Sequence, residues 1–153
     1  MTPLALDSYL PYLINRAGVR LVAHFSIRLR AEGLGIQDWR VLAALFEQDG
    51  QRLSDLAERT SIEISTLSRI IGGMETTGLL RRTRANTDAR AVAIRIEPRG
   101  REMVQRLLPA AEALERNALA GLTEAEETQL KELLRRVYDN LEGRRLPAAA
   151  NGG

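Results

Sequence analysis

Apolar residues recur at three- and four-residue spacing along most of this chain, and the pattern switches to alternation in one short stretch. From Ser8 to about Arg30, Leu10, Leu13, Ile14, Ala17, Leu21 and Phe25 form one helical stripe. Val19, Val22 and Ile27 fall off that stripe, so this helix is apolar on more than one side and should be covered from two directions. In a chain this small, another subunit is one source of the second cover. Residues 1–7 are expected to fray, and Pro11 falls in the first turn, where a missing N–H is harmless. Glu32-Gly33-Leu34-Gly35 breaks the helix. Gly35 then caps a second one, with Asp38 in its first turn, Trp39, Val41, Leu42, Leu45 and Phe46 along it, and Asp49-Gly50 at its end.

Ser54 is expected to cap a short helix from Asp55 to Arg59, with Leu56 and Ala57 inward and Glu58 near the positive end of its dipole. Thr60-Ser61-Ile62 reads as a turn. The next helix runs from about Glu63 to Thr77 and stops at Gly78, with Leu67, Ile70, Ile71 and Met74 facing the core. Leu79 to Arg84 and Ala91 to Ile96 read as paired strands around a turn at Asn86-Thr87-Asp88, with Val92, Ile94 and Ile96 as the apolar face. A long helix follows from Pro98 to about Gly121, with a kink or break expected at Pro109. Thr123-Glu124-Ala125-Glu126 is a capping box that opens a last helix, lined by Leu130, Leu133, Leu134, Val137 and Leu141. The Ala-, Gly- and Pro-rich end should be disordered. The predicted fold is mainly α with a small β-hairpin wing: one domain, with a winged helix-turn-helix at about 36–97, flanking helices at about 8–32 and 98–142, and a tail at 143–153.

Charge adds position to this picture. The net charge is only +2, yet Arg81, Arg82, Arg84, Arg90, Arg95, Arg99 and Arg101 lie in one short stretch against Asp88 and Glu97. Local positive charge is what a phosphate backbone responds to. A general bias toward Ala and Arg would also raise the arginine count, so position carries the argument.

The helix after the turn presents Ser65, Thr66 and Ser68 near its start, then Arg69. Small hydroxyls let a helix approach the floor of the major groove, and Arg69 can reach a guanine edge or a phosphate. The competing reading is a solvated helix face. In the wing, Arg84, Thr87, Asp88 and Arg90 are the candidates, with Arg90 at the mouth of a minor groove and Asp88 pairing with it. The bland alternative there is an exposed turn with an inconsequential ion pair.

These residues resemble the MarR (multiple antibiotic resistance regulator) family of bacterial transcription factors. The matching pieces are Trp39-Arg40-Val41-Leu42, Leu53-Ser54-Asp55-Leu56-Ala57, Ser65-Thr66-Leu67-Ser68-Arg69, Gly78-Leu79-Leu80 and Asp88-Ala89-Arg90, in that order over about residues 8–142. The resemblance implies a homodimer through interleaved terminal helices, with Ser54 among the DNA contacts. Each protomer would give one winged helix to a pseudo-palindromic double-stranded operator. It also implies release by a small anionic aromatic effector, for which Tyr12, Arg16, Arg20, His24, Trp39 and Arg40 are the candidates. Against that role, Trp39 reads more readily as core, and His24 more readily as an interface or surface residue. Gly72-Gly73 departs from the acid–Arg pair frequent in the family, Gly35 from a threonine cap, and Ile96-Glu97-Pro98 from a Leu-Thr cap.

With no cysteine, disulfides, thiolate zinc sites and thiol redox sensing are excluded. A lone histidine argues against a transition-metal sensor or a triad, and no HExxH pair or phosphate-binding glycine loop is present. The expectation is a regulator, most simply a ligand-responsive repressor, with no enzyme activity, cofactor or metal. The alternative is a winged-helix protein-interaction module without specific DNA binding. No apolar run could span a bilayer and no signal-peptide pattern opens the chain, so a cytoplasmic location is expected.

Overall fold

A computed structural model of the chain describes residues 4–85 and 88–142. The expected tail at 143–153 and the hairpin tip at Asn86-Thr87 lie outside the described residues. The helices are α1 (Leu10–Ala31), α2 (Ile36–Glu47), α3 (Leu53–Thr60), α4 (Ile64–Thr76), α5 (Pro98–Ala118) and α6 (Glu124–Leu141). The strands β1 (Gln51–Arg52), β2 (Leu80–Ala85) and β3 (Asp88–Ile96) form one antiparallel sheet in the order β1-β3-β2. No described helix is long and apolar enough to cross a membrane. Two compact units result, Met1–Glu115 and Arg116–Gly153.

The first unit holds the core. Leu29, Val41, Leu42, Leu45, Leu56, Leu67, Ile71, Leu80, Ile94, Val104 and Leu107 are fully buried, drawn from α1 to α5 and the sheet. Local chemistry fixes the element ends. The Gly35 N–H donates to Asp38 Oδ2 (2.7 Å), which caps α2 as expected. Gly78 takes φ +72°, and the Leu79 N–H then donates to the Met74 carbonyl (3.0 Å), ending α4. At Gly100, a Cβ would lie 2.2 Å from the Leu79 carbonyl oxygen, so only glycine lets α5 start this close to the end of α4.

Several expectations are corrected. Residues Leu6–Ser8 form a 3-10 turn where fraying was expected, held by the Tyr9 N–H on the Leu6 carbonyl. Ser54 does not cap α3. Strand β1 pairs Arg52 with Ala93, so the chain turns straight from strand to helix, and Arg52 occupies the cap position. Asp55, not Glu58, is the first-turn acid. The short β1 had no alternation to announce it. Its Gln51 is buried because Nε2 donates to the Ala44 and Gln48 carbonyls at the end of α2. Val92 is exposed and Ala93 buried, because β3 is the central strand and is covered around Ala93 and Ile94. Of the kink or break expected at Pro109, the break is absent: α5 runs through that residue as one helix.

The second unit contains the end of α5 and all of α6. Helix α6 opens on the expected capping box, with the Thr123 N–H donating to Glu126 Oε2 (2.8 Å) and the Glu126 N–H donating to Thr123 Oγ1 (3.2 Å). Leu130, Leu133, Leu134, Tyr138 and Leu141 on this helix are exposed.

Candidate nucleic-acid interface

Helix α4 is presented by the turn before it. Thr60 ends α3 with its hydroxyl donating to the Leu56 carbonyl (2.6 Å), and Ser61 adopts the left-handed conformation at φ 54°. Glu63 then caps α4. Its Oε1 accepts the Ser65 N–H (3.2 Å), while Oε2 accepts the Thr66 N–H (3.2 Å), the Thr66 hydroxyl (3.3 Å) and the Ser65 hydroxyl. Donation by the Ser65 hydroxyl, reinforced by the two backbone N–H groups, holds the Glu63 carboxyl below its ordinary pKa. Glutamate is not a favoured cap, so Glu63 does not stand out in the sequence; the available signal is an acid just ahead of a Ser-Thr pair.

Ser65 and Arg69 are exposed, and Thr66 and Ser68 are half-buried. Arg69 makes no ion pair or side-chain hydrogen bond among the described residues. Beyond it, a Cβ on Gly72 or Gly73 would meet nothing within 4 Å outside the helix's own backbone. Ser65, Arg69 and Gly73 therefore leave an exposed strip along α4.

The wing arginines divide by partner. Arg82 is a strut: its N–H and Nη1 donate to Glu75 (3.0 and 2.7 Å), and Nη2 donates to the Ser68 carbonyl (3.0 Å). This holds the base of β2 against α4 and lowers the Glu75 pKa, first through the Arg82 backbone N–H and then through its side chain. Arg81 pairs with Glu97. Arg99 donates to the Thr77 carbonyl (2.9 Å). Asp49 gathers Arg101 (2.9 Å), Arg95 (3.9 Å) and the Ile96 N–H (2.9 Å), which ties α2 to β3 and α5. Arg84, by contrast, is exposed and has no ion pair among the described residues. Asp49, Glu75 and Arg82 were missed as a group because their partners are distant in sequence and obey no local spacing rule.

Arg90 is exposed and lies where the β2–β3 register shifts, since Arg84 pairs with Val92 but Ala85 with Asp88. Thr87 and the side chain of Asp88, and with it the expected Asp88–Arg90 pair, lie outside the described residues. Ser54 is exposed in the first turn of α3.

The six effector candidates fall into separate groups. Trp39 is half-buried and packs edge-on against Phe25, with ring centres 5.1 Å apart, which favours its core role. Its outer side, with Arg40, lines an open groove of about 530 Å³ that also includes Ala43, Glu47, Arg59 and Thr60. On α1, the Arg16 guanidinium lies over the Tyr12 ring at 5.4 Å. Arg20 and His24 are exposed on α1. None of these four lines the groove.

Comparison with known proteins agrees with this arrangement. The MarR family model matches residues 34–92. A MarR family transcriptional regulator from Silicibacter pomeroyi is similar in structure, with TM-score 0.84 and 30% identity over 95% of this chain and 100% of its own. BpsR of Bordetella bronchiseptica, whose DNA binding is regulated by 6-hydroxynicotinic acid, is 30% identical over 85% of this chain and 98% of its own, with TM-score 0.76. The transcriptional repressor IacR of Pseudomonas putida is 28% identical over 131 residues, 86% of this chain and 78% of its own length.

Proposed function

This chain belongs to the MarR family of DNA-binding transcriptional regulators, which are not enzymes, and from that premise we propose that it is a homodimeric cytoplasmic repressor released from its operator by a small aromatic carboxylate. The observation that carries the DNA-reading part is the open face of α4, with Arg69 unpaired among the described residues, beside a wing whose base is locked to the same helix by Arg82. A recognition helix in this position reads major-groove edges, and a wing arginine tracks the backbone. Ser54, Ser65, Thr66, Ser68, Arg69, Arg84, Thr87, Asp88 and Arg90 are assigned to this surface.

The dimer reading rests on apolar faces. Leu10, Leu13, Ile14, Val19, Leu21 and Ile27 of α1 are exposed, as are the leucines of α6, and a second copy of the chain would bury them. Two recognition helices in such a dimer meet successive major grooves about 34–36 Å apart on a pseudo-palindrome. The effector reading draws on BpsR and on the Trp39–Arg40 groove, whose size falls within the usual ligand range of about 300–1,000 Å³. Tyr12, Arg16, Arg20 and His24 are the alternative lining, from α1.

A gel-shift titration with the DNA upstream of the chain's own gene tests the proposal. Retardation that weakens steeply with salt and is reversed by 6-hydroxynicotinate or a related aromatic acid supports it. No retardation at low salt rejects DNA reading. Retardation unaffected by any aromatic acid rejects the effector class alone.

A further inference from the structure

We infer that Glu63 turns the start of α4 into a surface of hydrogen-bond acceptors that selects cytosine in the major groove, a role that rests on the DNA reading proposed above. The geometry is specific. A carboxylate only accepts hydrogen bonds, so the Ser65 and Thr66 hydroxyls each direct their single proton at Glu63. The Ser65 and Thr66 N–H groups are directed at it as well. The first turn of a helix ordinarily offers donors to an anion. Here those donors are occupied, and what they leave to a partner is the exposed carboxylate's charge with the remaining lone pairs of the carboxylate and hydroxyls.

Such a surface repels phosphate and the guanine edge, where O6 and N7 are both acceptors. It attracts an amino group. Adenine carries one at N6, but its N7 acceptor stands beside it. Cytosine presents its N4 amino group without a neighbouring acceptor of its own, and carboxylates accept from that group in direct readout. Residues at the start of a recognition helix are the ones that reach base edges. Glu63 is exposed and free to turn its remaining lone pair outward. Arg69 lies one turn beyond Ser65 on the same side of the helix and is a pure donor suited to guanine. The face thus offers acceptors at its start and donors one turn later.

The test is selection from a duplex library with randomised half-sites, followed by titration of single-base variants of the selected site. The intact chain should select cytosine at one position per half-site and disfavour the other bases there by about tenfold. Glu63→Gln, which places an amide donor where an acceptor stood, should lose that preference and retain the one set by Arg69. A second measurement needs no protein variant. N4-methylcytosine at that position, which replaces the groove-facing amino hydrogen, should weaken binding by the intact chain by a similar factor. Cytosine preference that survives in Glu63→Gln, equal weakening of all sequences by that variant, or indifference to N4-methylation overturns the inference while DNA reading stands. Failure of the intact chain to select any sequence removes DNA reading itself, and this inference with it.

Discussion

Leucines at the same helical spacing meet opposite fates in two regions of this protein. In the winged-helix core, Leu42, Leu45, Leu56 and Leu67 are wholly buried, whereas on α6 Leu133 is 45% and Leu141 64% exposed. The charged residues divide in the same way. Asp49, Glu75 and Glu97 engage Arg101, Arg82 and Arg81 within the fold, while Arg69 and Arg84 remain open to solvent. The fold completes one set of interactions internally and leaves the other exposed, where the proposed dimer and DNA would engage it. A residue in the first set should therefore act on stability, and one in the second on assembly or DNA binding.

The sharpest way to break this division is a pair of leucine substitutions. Leu45→Ala empties a fully buried site and should cost about 2–5 kcal/mol in chemical denaturation, whatever the protein concentration. Leu133→Asp should leave the secondary structure intact by circular dichroism and convert a dimer to a monomer in sedimentation. A Leu133→Asp chain that sediments like its parent would return the α6 face to ordinary surface and remove the main support for the dimer.

Next in size is Gly100→Ala, on the closed side. The added methyl group would meet the Leu79 carbonyl, a backbone atom already accepting the Glu97 N–H (3.0 Å). Helix α5 must shift away from the end of α4, at about 1–3 kcal/mol. The melting temperature should fall, and DNA affinity should follow stability, since no groove-facing side chain changes. A melting temperature equal to the parent's would show that the junction yields more easily than its geometry implies.

How much of this was legible beforehand depended on the range of the interactions. The six α-helices among the described residues, the Gly35–Asp38 cap and the Thr123 capping box follow from local spacing, and those features emerged from the sequence nearly as they stand. Strand β1 did not, because two residues carry no period and its pairing with β3 joins positions about forty apart. Val92 and Ala93 were misassigned for a related reason: alternation identifies two faces of a strand but does not say which parts of them neighbouring elements cover. The arginine cluster was visible as composition, yet its division into struts and open residues was not. Arg82 meets Glu75 and Ser68 only after the chain reverses at Gly78, and Arg101 meets Asp49 across the whole winged helix.

That division yields a smaller but more discriminating prediction. Arg84→Ala should lower the slope of log affinity against log salt by about 1, as expected for one lost phosphate contact, and weaken all sequences alike. Arg82→Ala should leave that slope unchanged, because its guanidinium is directed at Glu75 and Ser68. It should instead release the wing from α4, seen as faster amide exchange in β2. A full unit of slope lost in Arg82→Ala would place that arginine on DNA.

The smallest effect expected is a pH dependence at the same junction. The Arg82 N–H and then its side chain hold the Glu75 carboxyl below its ordinary value of 4.5. A carboxyl whose folded pKa is depressed contributes stability that is fully present above the unfolded value. That contribution is lost as pH falls through the folded value. Glu75 is solvent-accessible, so water screens the pair and the contribution is modest. The intact chain should lose melting temperature below about pH 4.5, and Glu75→Gln should flatten part of that acid limb while leaving the profile above pH 6 nearly level. Glu63 responds to acid in the same direction, so Glu75→Gln removes only part of what the α4–wing junction contributes, and Glu63→Gln in addition should flatten the limb further. If the double variant kept the parent's full acid limb, the acid sensitivity would have to arise from carboxylates outside the α4–wing junction.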